Sequence, residues 1–367
     1  MEAFAYVGYP CRIIFGPGKV ATLTDELDHL GAASVMFCCT PGREGRVRQI
    51  TETLDGRNVQ VSPIVNSIVS EDLVVEGRRQ AREFGTDCLV AVGGGSALGL
   101  AKSIALELGI PIVAIPTTYS GSETSDLQGM FEDGKRVLKR SSRMQPKTII
   151  YDPELSVDLP LESSLLSAIN SMAHAACSFF GRNPNPVTAL FAEEGLRAMG
   201  NALPRVADNP RDVDARGDAL YGAWLCGSTL NSAGTVLHHK ICHVLGGYFR
   251  MPHAAAHTII LPHSVGYNRD AAPAAMKRIA RAFGDENSDA AGAIFDLLTR
   301  IGAPTALKSI GMSRDDLAKA AKLVTTDPYF NPRPIEYQPV RELLENAWFG
   351  RRPQFPEAAE EMSPSVP

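Results

Sequence analysis

The sequence predicts an α/β N-terminal domain with a mainly parallel sheet, followed by an all-α C-terminal domain. Up to about residue 155, short apolar runs alternate with amphipathic helical segments; from Ser163 to Leu344 the apolar period is almost wholly helical. A third observation is the triplet Gly93-Gly94-Gly95, placed where an apolar run hands over to a helical one. The organisation read from these is a dinucleotide-binding domain over 1–155, a helical catalytic domain over 156–350 and a Pro/Glu-rich tail over 351–367 without apolar periodicity.

Each element follows from its residues. Cys11–Phe15 reads as a strand closed by Gly16-Pro17-Gly18, and Leu23, Leu27 and Leu30 give Val20–Leu30 a helical face. Ser34–Cys39 is a continuous apolar strand, Arg43–Leu54 a helix, Asn58–Ile64 a strand, and Glu71–Phe84 a helix opened by Ser70. Cys88–Val92 is a buried strand that enters the glycine triplet and a helix ending at Leu108, and Ile110–Ile115 and Thr148–Tyr151 are two further strands. Continuous apolar strands between amphipathic helices imply a parallel sheet covered on both faces. Beyond Asp152-Pro153 the punctuation falls at 182–186, 208–211, 302–304 and 327–334, between helices.

Composition narrows the function classes. Of 367 residues, 44% are hydrophobic and 21% charged, which excludes disordered, collagen-like and coiled-coil chains. With 36 Lys and Arg against 41 Asp and Glu, the net charge of −5 offers no basic surplus for nucleic acid or an anionic membrane. The apolar runs are too short to cross a bilayer, and the first eighteen residues lack the charged and apolar regions of a secretory signal. Seven cysteines without C-x-x-C spacing point to free thiols in a cytoplasmic protein.

The segment from Gly93 to Lys102 places three glycines and Ser96 at a strand-to-helix turn. Such a turn lets backbone approach a pyrophosphate, and the helix start supplies free N–H groups. One βα unit later, Thr117, Thr118, Tyr119, Ser120 and Ser122 cluster after the next strand, as a site for phosphate and ribose oxygens would require. After the second strand, Cys38-Cys39-Thr40-Pro41-Gly42-Arg43 carries no carboxylate to repel a ribose 2′-phosphate, and Arg43 is available to attract one. A Rossmann-like sheet that accepts both NADH and NADPH is the expectation.

Seven of eight histidines fall between 174 and 263. Asn170 and His174 are i,i+4 on one helical segment, His239 and His243 on another, and His253 follows a Gly246-Gly247 turn. His174, His239, His243 and His253 are read as one shared site, and His238, His257 and His263 as structural residues.

Together these loops and histidines resemble the iron-containing alcohol dehydrogenase family to about residue 352, in order and spacing: the glycine loop, PTTYSGSE, Asn170 to His174, HHKICHVLGG and MPHAAAHTIILPH. The resemblance implies the dehydroquinate synthase-like/iron alcohol dehydrogenase architecture and a homodimer. It also implies a nicotinamide dinucleotide at Gly93–Ser96 and Thr117–Ser122, with Lys139 near the nucleotide. In metal-dependent relatives an aspartate and three histidines hold iron or zinc, and the matching positions here are Asn170, His174, His239 and His253. With the aspartate replaced by a neutral amide, and Gly99 standing where many relatives carry another aspartate, no metal is expected.

Within the family the chain most resembles members that reduce a C=C bond conjugated to a ketone in a small dicarboxylate, a reaction of aromatic-compound degradation. The expected roles are His243 as proton donor, His253, His239 and His174 as substrate-positioning or proton-relaying groups, and Tyr119, Asn170 and Arg333 as substrate contacts. The alternatives are a metal-dependent alcohol or lactaldehyde dehydrogenase, a dehydroquinate synthase-like lyase, and a nucleotide-binding sensor without turnover.

Overall fold

Six parallel strands form the sheet of the N-terminal half: β1 (Arg12–Phe15), β2 (Ser34–Cys38), β3 (Asn58–Ser62), β4 (Cys88–Gly93), β5 (Ile112–Pro116) and, last in the chain, β8 (Thr148–Tyr151). Their order across the sheet is β1-β8-β5-β4-β2-β3. The computed structural model describes residues 3–354 apart from 9, 67–68, 133–134, 286 and 288. The tail expected from 351 therefore lies outside the described residues beyond 354. Arg352, just before it, is held by Asp289 at 2.8 Å and Asp296 at 2.9 Å.

The alternation of strand side chains explains the two covered faces. Val35, Phe37, Val90, Val92, Val113 and Ile115 point to one face, where they pack with Leu23 and Leu27 of α1 (Leu23–His29) and Val47 and Ile50 of α2 (Glu44–Thr51). On the sequence-adjacent positions, Met36, Leu89, Ile112 and Ala114 are equally buried. Helices α3 (Glu71–Phe84) and α4 (Gly95–Leu108) pack together so closely that a Cβ on Gly77 would come 2.9 Å from Leu100.

The chain runs from β2 outward to β3, then returns to place β4 on the other side of β2 and continues to β5. The connections thus diverge between β2 and β4, and the crevice beyond the carboxyl ends of those strands is where open α/β sheets bind ligands. Both the Thr40 turn and the glycine loop lie there.

One element is absent from the sequence reading: an antiparallel hairpin of β6 (Leu127–Glu132) and β7 (Lys135–Arg140). Its second strand is KRVLKR, too charged to register as an apolar run.

Beyond Tyr151 the described residues are helical, with α5 (Leu161–Ser178), α6 (Pro186–Asp208), α7 (Val213–Ser228) and α8 (Leu230–Ala233) preceding α9 (Leu237–Gly247) and α10 (His253–Tyr267). Then come α11 (Pro273–Ala282), α12 (Ala290–Arg300), α13 (Leu317–Thr325) and α14 (Tyr337–Phe349). Two compact units divide after Gly234. The change from strands to helices near 155 therefore does not coincide with the compact boundary, because α5 to α8 belong to the unit that contains the sheet. Gly227 of α7 shows how tightly: a Cβ there would stand 2.4 Å from the carbonyl oxygen of Gly121.

The second unit has its own core, built from Leu237, Ile241 and Leu245 of α9, Ile259 and Ile260 of α10, and Val340 and Leu344 of α14. Spacing of four along α9 gives the apolar residues one face and leaves His239 and His243 on another. No helix of the described residues is long and apolar enough to cross a membrane.

Candidate active site

Parallel pairing of β4 with β5 sets the two predicted nucleotide loops side by side. The Thr117 N–H donates to the Gly93 carbonyl at 2.9 Å. Gly93 has φ +148°, a conformation that side chains rarely adopt, and a Cβ on Gly94 would lie 2.8 Å from Thr118 Cγ2. Gly95 and Ser96 open α4, whose N-terminus receives no side-chain cap, so its N–H groups stay available to an anion. Ser122 Oγ lies 3.6 Å from the position a Cβ on Gly95 would take.

The second loop is gripped from beneath by a residue that the sequence reading did not single out. Lys102 is fully buried, and its ammonium donates to the carbonyls of Ser122 (2.8 Å), Ser125 (2.6 Å) and Leu127 (3.0 Å). Burial pushes Lys102 down to about 7, against the opposing pull of Glu123 and Asp126. The signal was present, a lysine seven residues beyond the glycine triplet, but only the fold shows which carbonyls it meets.

Gly99 is explained by the hairpin: a Cβ there would come 2.6 Å from Gln128 Nε2. Lys139 stands opposite Gln128 across the same hairpin. Thr40, Gly42, Arg43 and Arg46 line an open cleft of about 560 Å³ just beyond β2, together with Gln49 and Asp158.

Two expected substrate contacts are placed otherwise. Tyr119 is fully buried, and its hydroxyl accepts from Arg216 Nη1 at 3.0 Å; the buried Arg216 also donates to Ser164 Oγ and the Leu159 carbonyl. Tyr119 is thereby an interior partner of a buried guanidinium. Arg333 lays its guanidinium over the Tyr267 ring, 4.3 Å from the centroid, and donates to the Tyr267 carbonyl at 3.3 Å. Stacking of this kind fixes the 327–334 loop onto α10.

Asn170 and His174 sit one turn apart on α5 in the first unit. Asn170 Oδ1 is buried with no hydrogen-bond partner among the described residues. In the second unit the histidine rings form a chain of contacts: His253 lies 4.5 Å from His257, His239 5.9 Å from His257, and His243 stacks on His253 at 6.4 Å between centroids. His243 Nδ1 shares a 3.0 Å hydrogen bond with the hydroxyl of Tyr329, a residue that sequence reasoning missed because 86 positions separate the two. Arg250 and Asp327, with φ of 56° and 58°, put left-handed turns two to three residues ahead of His253 and Tyr329.

His263 stands apart from this chain of rings. It is buried edge-on to Phe295, and burial lowers it to about 4. The folded state therefore binds the proton more weakly than the unfolded state, so its contribution is intact above pH 6.5 and is lost as pH falls towards 4. His263→Leu is expected to remove of the order of 3 kcal/mol of acid destabilisation between those limits. Urea unfolding at pH 7 and 4.5 measures it, and an unchanged slope would reject the assignment.

Residues 10–153 match the family model described as iron-containing alcohol dehydrogenase, and residues 164–348 match the model for the C-terminal part of the same family. The chain belongs to the iron-containing alcohol dehydrogenase family. It is thereby an NAD(P)H-dependent oxidoreductase. Among its relatives in this family, a maleylacetate reductase of Burkholderia cepacia is 45% identical over 353 residues, covering 96% of this chain and 100% of that protein. Another, of Sphingobium indicum, is 42% identical over 350 residues, covering 95% and 99%. A crystal structure of a maleylacetate reductase from Agrobacterium tumefaciens superposes with a TM-score of 0.92 at 40% identity, over 96% of this chain and 100% of that one. A crystal structure described as an alcohol dehydrogenase from Ralstonia eutropha gives 0.92 at 46% identity, again over 96% and 100%.

Membership corrects the expectation of no metal, because an iron-containing family implies a divalent ion. That expectation rested on the lost aspartate, but Asn170 still presents a buried oxygen without a hydrogen-bond partner among the described residues. Amide oxygens are hard ligands of the kind divalent ions accept, and three imidazoles are a sufficient protein ligand set for zinc. Asn170 and His174 in the first unit, and His239 and His253 in the second, are thereby each of a residue type that divalent ions accept.

Proposed function

We propose that the chain is a maleylacetate reductase, converting maleylacetate to 3-oxoadipate with NADH or NADPH. The observation that carries this reading is the 45% identity with the Burkholderia cepacia enzyme over nearly the whole of both chains. A homodimer and a cytoplasmic location complete it; the seven free cysteines, six of them buried, suit a reducing compartment.

The reaction adds a hydride at C2 of the C2=C3 double bond and a proton at C3, with negative charge passing in between onto the C4 ketone oxygen. The dinucleotide supplies the hydride, and a divalent ion held by Asn170, His174, His239 and His253 would supply a Lewis acid for that charge. The backbone N–H groups after Gly94, with Thr117, Thr118 and Ser122, hold the diphosphate and ribose. Thr40 and Arg43 stand where the adenosine ribose lies, and Lys139 beside the nucleotide. His243 donates its proton to the ketone oxygen or to C3. His243 Nδ1 and the Tyr329 hydroxyl lie 3.0 Å apart, and either can donate; the proposed role needs the tautomer in which the hydroxyl donates and the His243 proton sits on Nε2.

NADH oxidation followed by absorbance on adding maleylacetate, with metal content measured in the same sample before and after chelation and zinc restoration, tests the function directly. Turnover of maleylacetate well above that of simple aldehydes is the expected result. Aldehyde turnover with maleylacetate inert would replace it by the alcohol dehydrogenase reading. For the cofactor, Arg43→Ala is expected to raise the KM for NADPH about tenfold, the loss of one charge-assisted phosphate contact, with the KM for NADH little changed. Equal effects on both cofactors would remove Arg43 from 2′-phosphate recognition.

A further inference from the structure

Arg216, on α7, is a guanidinium at zero exposure with no carboxylate among its partners in the described residues. Four of its five N–H donors are engaged, and they reach three separate segments. Nε donates to the Pro210 carbonyl at 2.7 Å, ahead of α7, and Nη2 to the Leu159 carbonyl at 3.0 Å. Nη1 serves both Ser164 Oγ, in the first turn of α5, at 3.1 Å and the Tyr119 hydroxyl at 3.0 Å. An apolar side chain would fill the same volume without burying a charge, so packing alone does not account for Arg216. A planar guanidinium held along both edges fixes its partners relative to one another.

Tyr119 is fastened a second time through its backbone, whose N–H donates to Ser167 Oγ at 3.2 Å. Ser164, Ser167, Asn170 and His174 follow one another along α5 at the spacing of a single helical face. The loop from Thr117 to Ser122 is therefore docked on the stripe of α5 that carries Asn170 one turn further on and His174 two turns further on. We propose that Arg216 and Tyr119 are positioning residues that hold the nucleotide loop in place against this face of α5, and thereby align the nicotinamide with the site of reduction. That the loop holds the dinucleotide and that Asn170 and His174 flank the reaction rests on the proposed function; the clamp itself lies within one compact unit. Its role differs from that of Lys102, which holds the loop's own carbonyls and so its shape. Loss of shape weakens binding, whereas loss of place leaves the cofactor bound but displaced, and a displacement of about 1 Å is enough to slow a reaction a hundredfold.

Tyr119→Phe deletes one hydroxyl and leaves Arg216 its bonds to Ser164, Leu159 and Pro210, so the variant keeps most of the buried network. The test measures the single-turnover rate of NADH oxidation at saturating NADH, and the Kd for NADH by fluorescence, in Tyr119→Phe, Ser167→Ala, Arg216→Lys and the double variant Tyr119→Phe/Arg216→Lys. The substrate is maleylacetate, or a simple aldehyde where only that is reduced. In Tyr119→Phe and in Ser167→Ala the rate is expected to fall about tenfold while the Kd stays within about twofold of wild type. The double variant is expected to be no slower than Arg216→Lys alone, because Tyr119 acts through Arg216. A wild-type rate in Tyr119→Phe, whatever its urea midpoint, overturns the proposal, as do additive losses in the double variant. A raised Kd with the rate restored at saturation also overturns it, since that is the signature of loop shape. Where Arg216→Lys does not fold, Tyr119→Phe and Ser167→Ala decide by themselves. Aldehyde reduction with maleylacetate inert counts against the proposed function alone, and the same variants read with the aldehyde still decide the clamp.

Discussion

His243→Ala is expected to lower kcat for maleylacetate by about a hundredfold or more, the usual contribution of a positioned general acid, with the affinity for NADH unaffected. The reason is placement. His243 lies on the face of α9 opposite the apolar Leu237, Ile241 and Leu245, stacks on His253, and has its Nδ1 engaged by Tyr329 at 3.0 Å. The proposed role falls to Nε2, the nitrogen on the other side of the ring. Tyr329→Phe keeps the ring and deletes the hydroxyl, so it should reduce kcat, but by less than His243→Ala does. Steady-state kinetics with both variants decide the matter: turnover of His243→Ala at the wild-type rate removes the assignment, and turnover of Tyr329→Phe at the wild-type rate removes the pairing.

Lys102→Met should weaken NADH binding tenfold or more while saturating NADH restores most of kcat. The substitution nearly keeps the length of the side chain and removes the donor to three loop carbonyls, of which the buried Ser125 carbonyl costs about 1–3 kcal/mol when left without a partner. Thr117 to Ser122 then lose the support that holds them against the glycine loop. A second signature separates this from general damage. The folded lysine releases its proton near 7, whereas the unfolded one keeps it to 10.5, so the buried charge costs stability below pH 7 and that cost fades as pH rises towards 10.5. The variant lacks this slope. Binding titrations by NADH fluorescence, with urea unfolding at pH 7 and pH 9, measure both effects, and wild-type affinity in the variant would refute the anchoring role.

Arg216 and Lys102 illustrate why part of the site is invisible in one dimension. Each is a charged side chain at zero exposure, and each is tolerable only because distant backbone oxygens converge on it: those of Leu159 and Pro210 for Arg216, and those of Ser122, Ser125 and Leu127 for Lys102. Tyr119 is expected from the sequence to contact substrate, yet the hydrogen-bond partner of its hydroxyl is 97 positions away. The metal expectation failed for a related reason: a single missing carboxylate was weighed without the buried Asn170 oxygen that stands in its place.

The strands, the glycine turn and the histidine spacing were readable directly from the chain, because each is written in residues a few positions apart. Continuous runs such as Cys88–Gly93 between amphipathic helical segments read as strands buried on both faces, a glycine triplet marks the turn that follows, and i,i+4 pairs share a helix face. The β6–β7 hairpin, the compact boundary after Gly234, and the partnerships of His243 with Tyr329 and His238 with His257 arose from folding alone. Hydrogen bonds across 19 or 86 residues obey geometry and not period, and a buried polar group takes whichever partner the packed chain brings within reach.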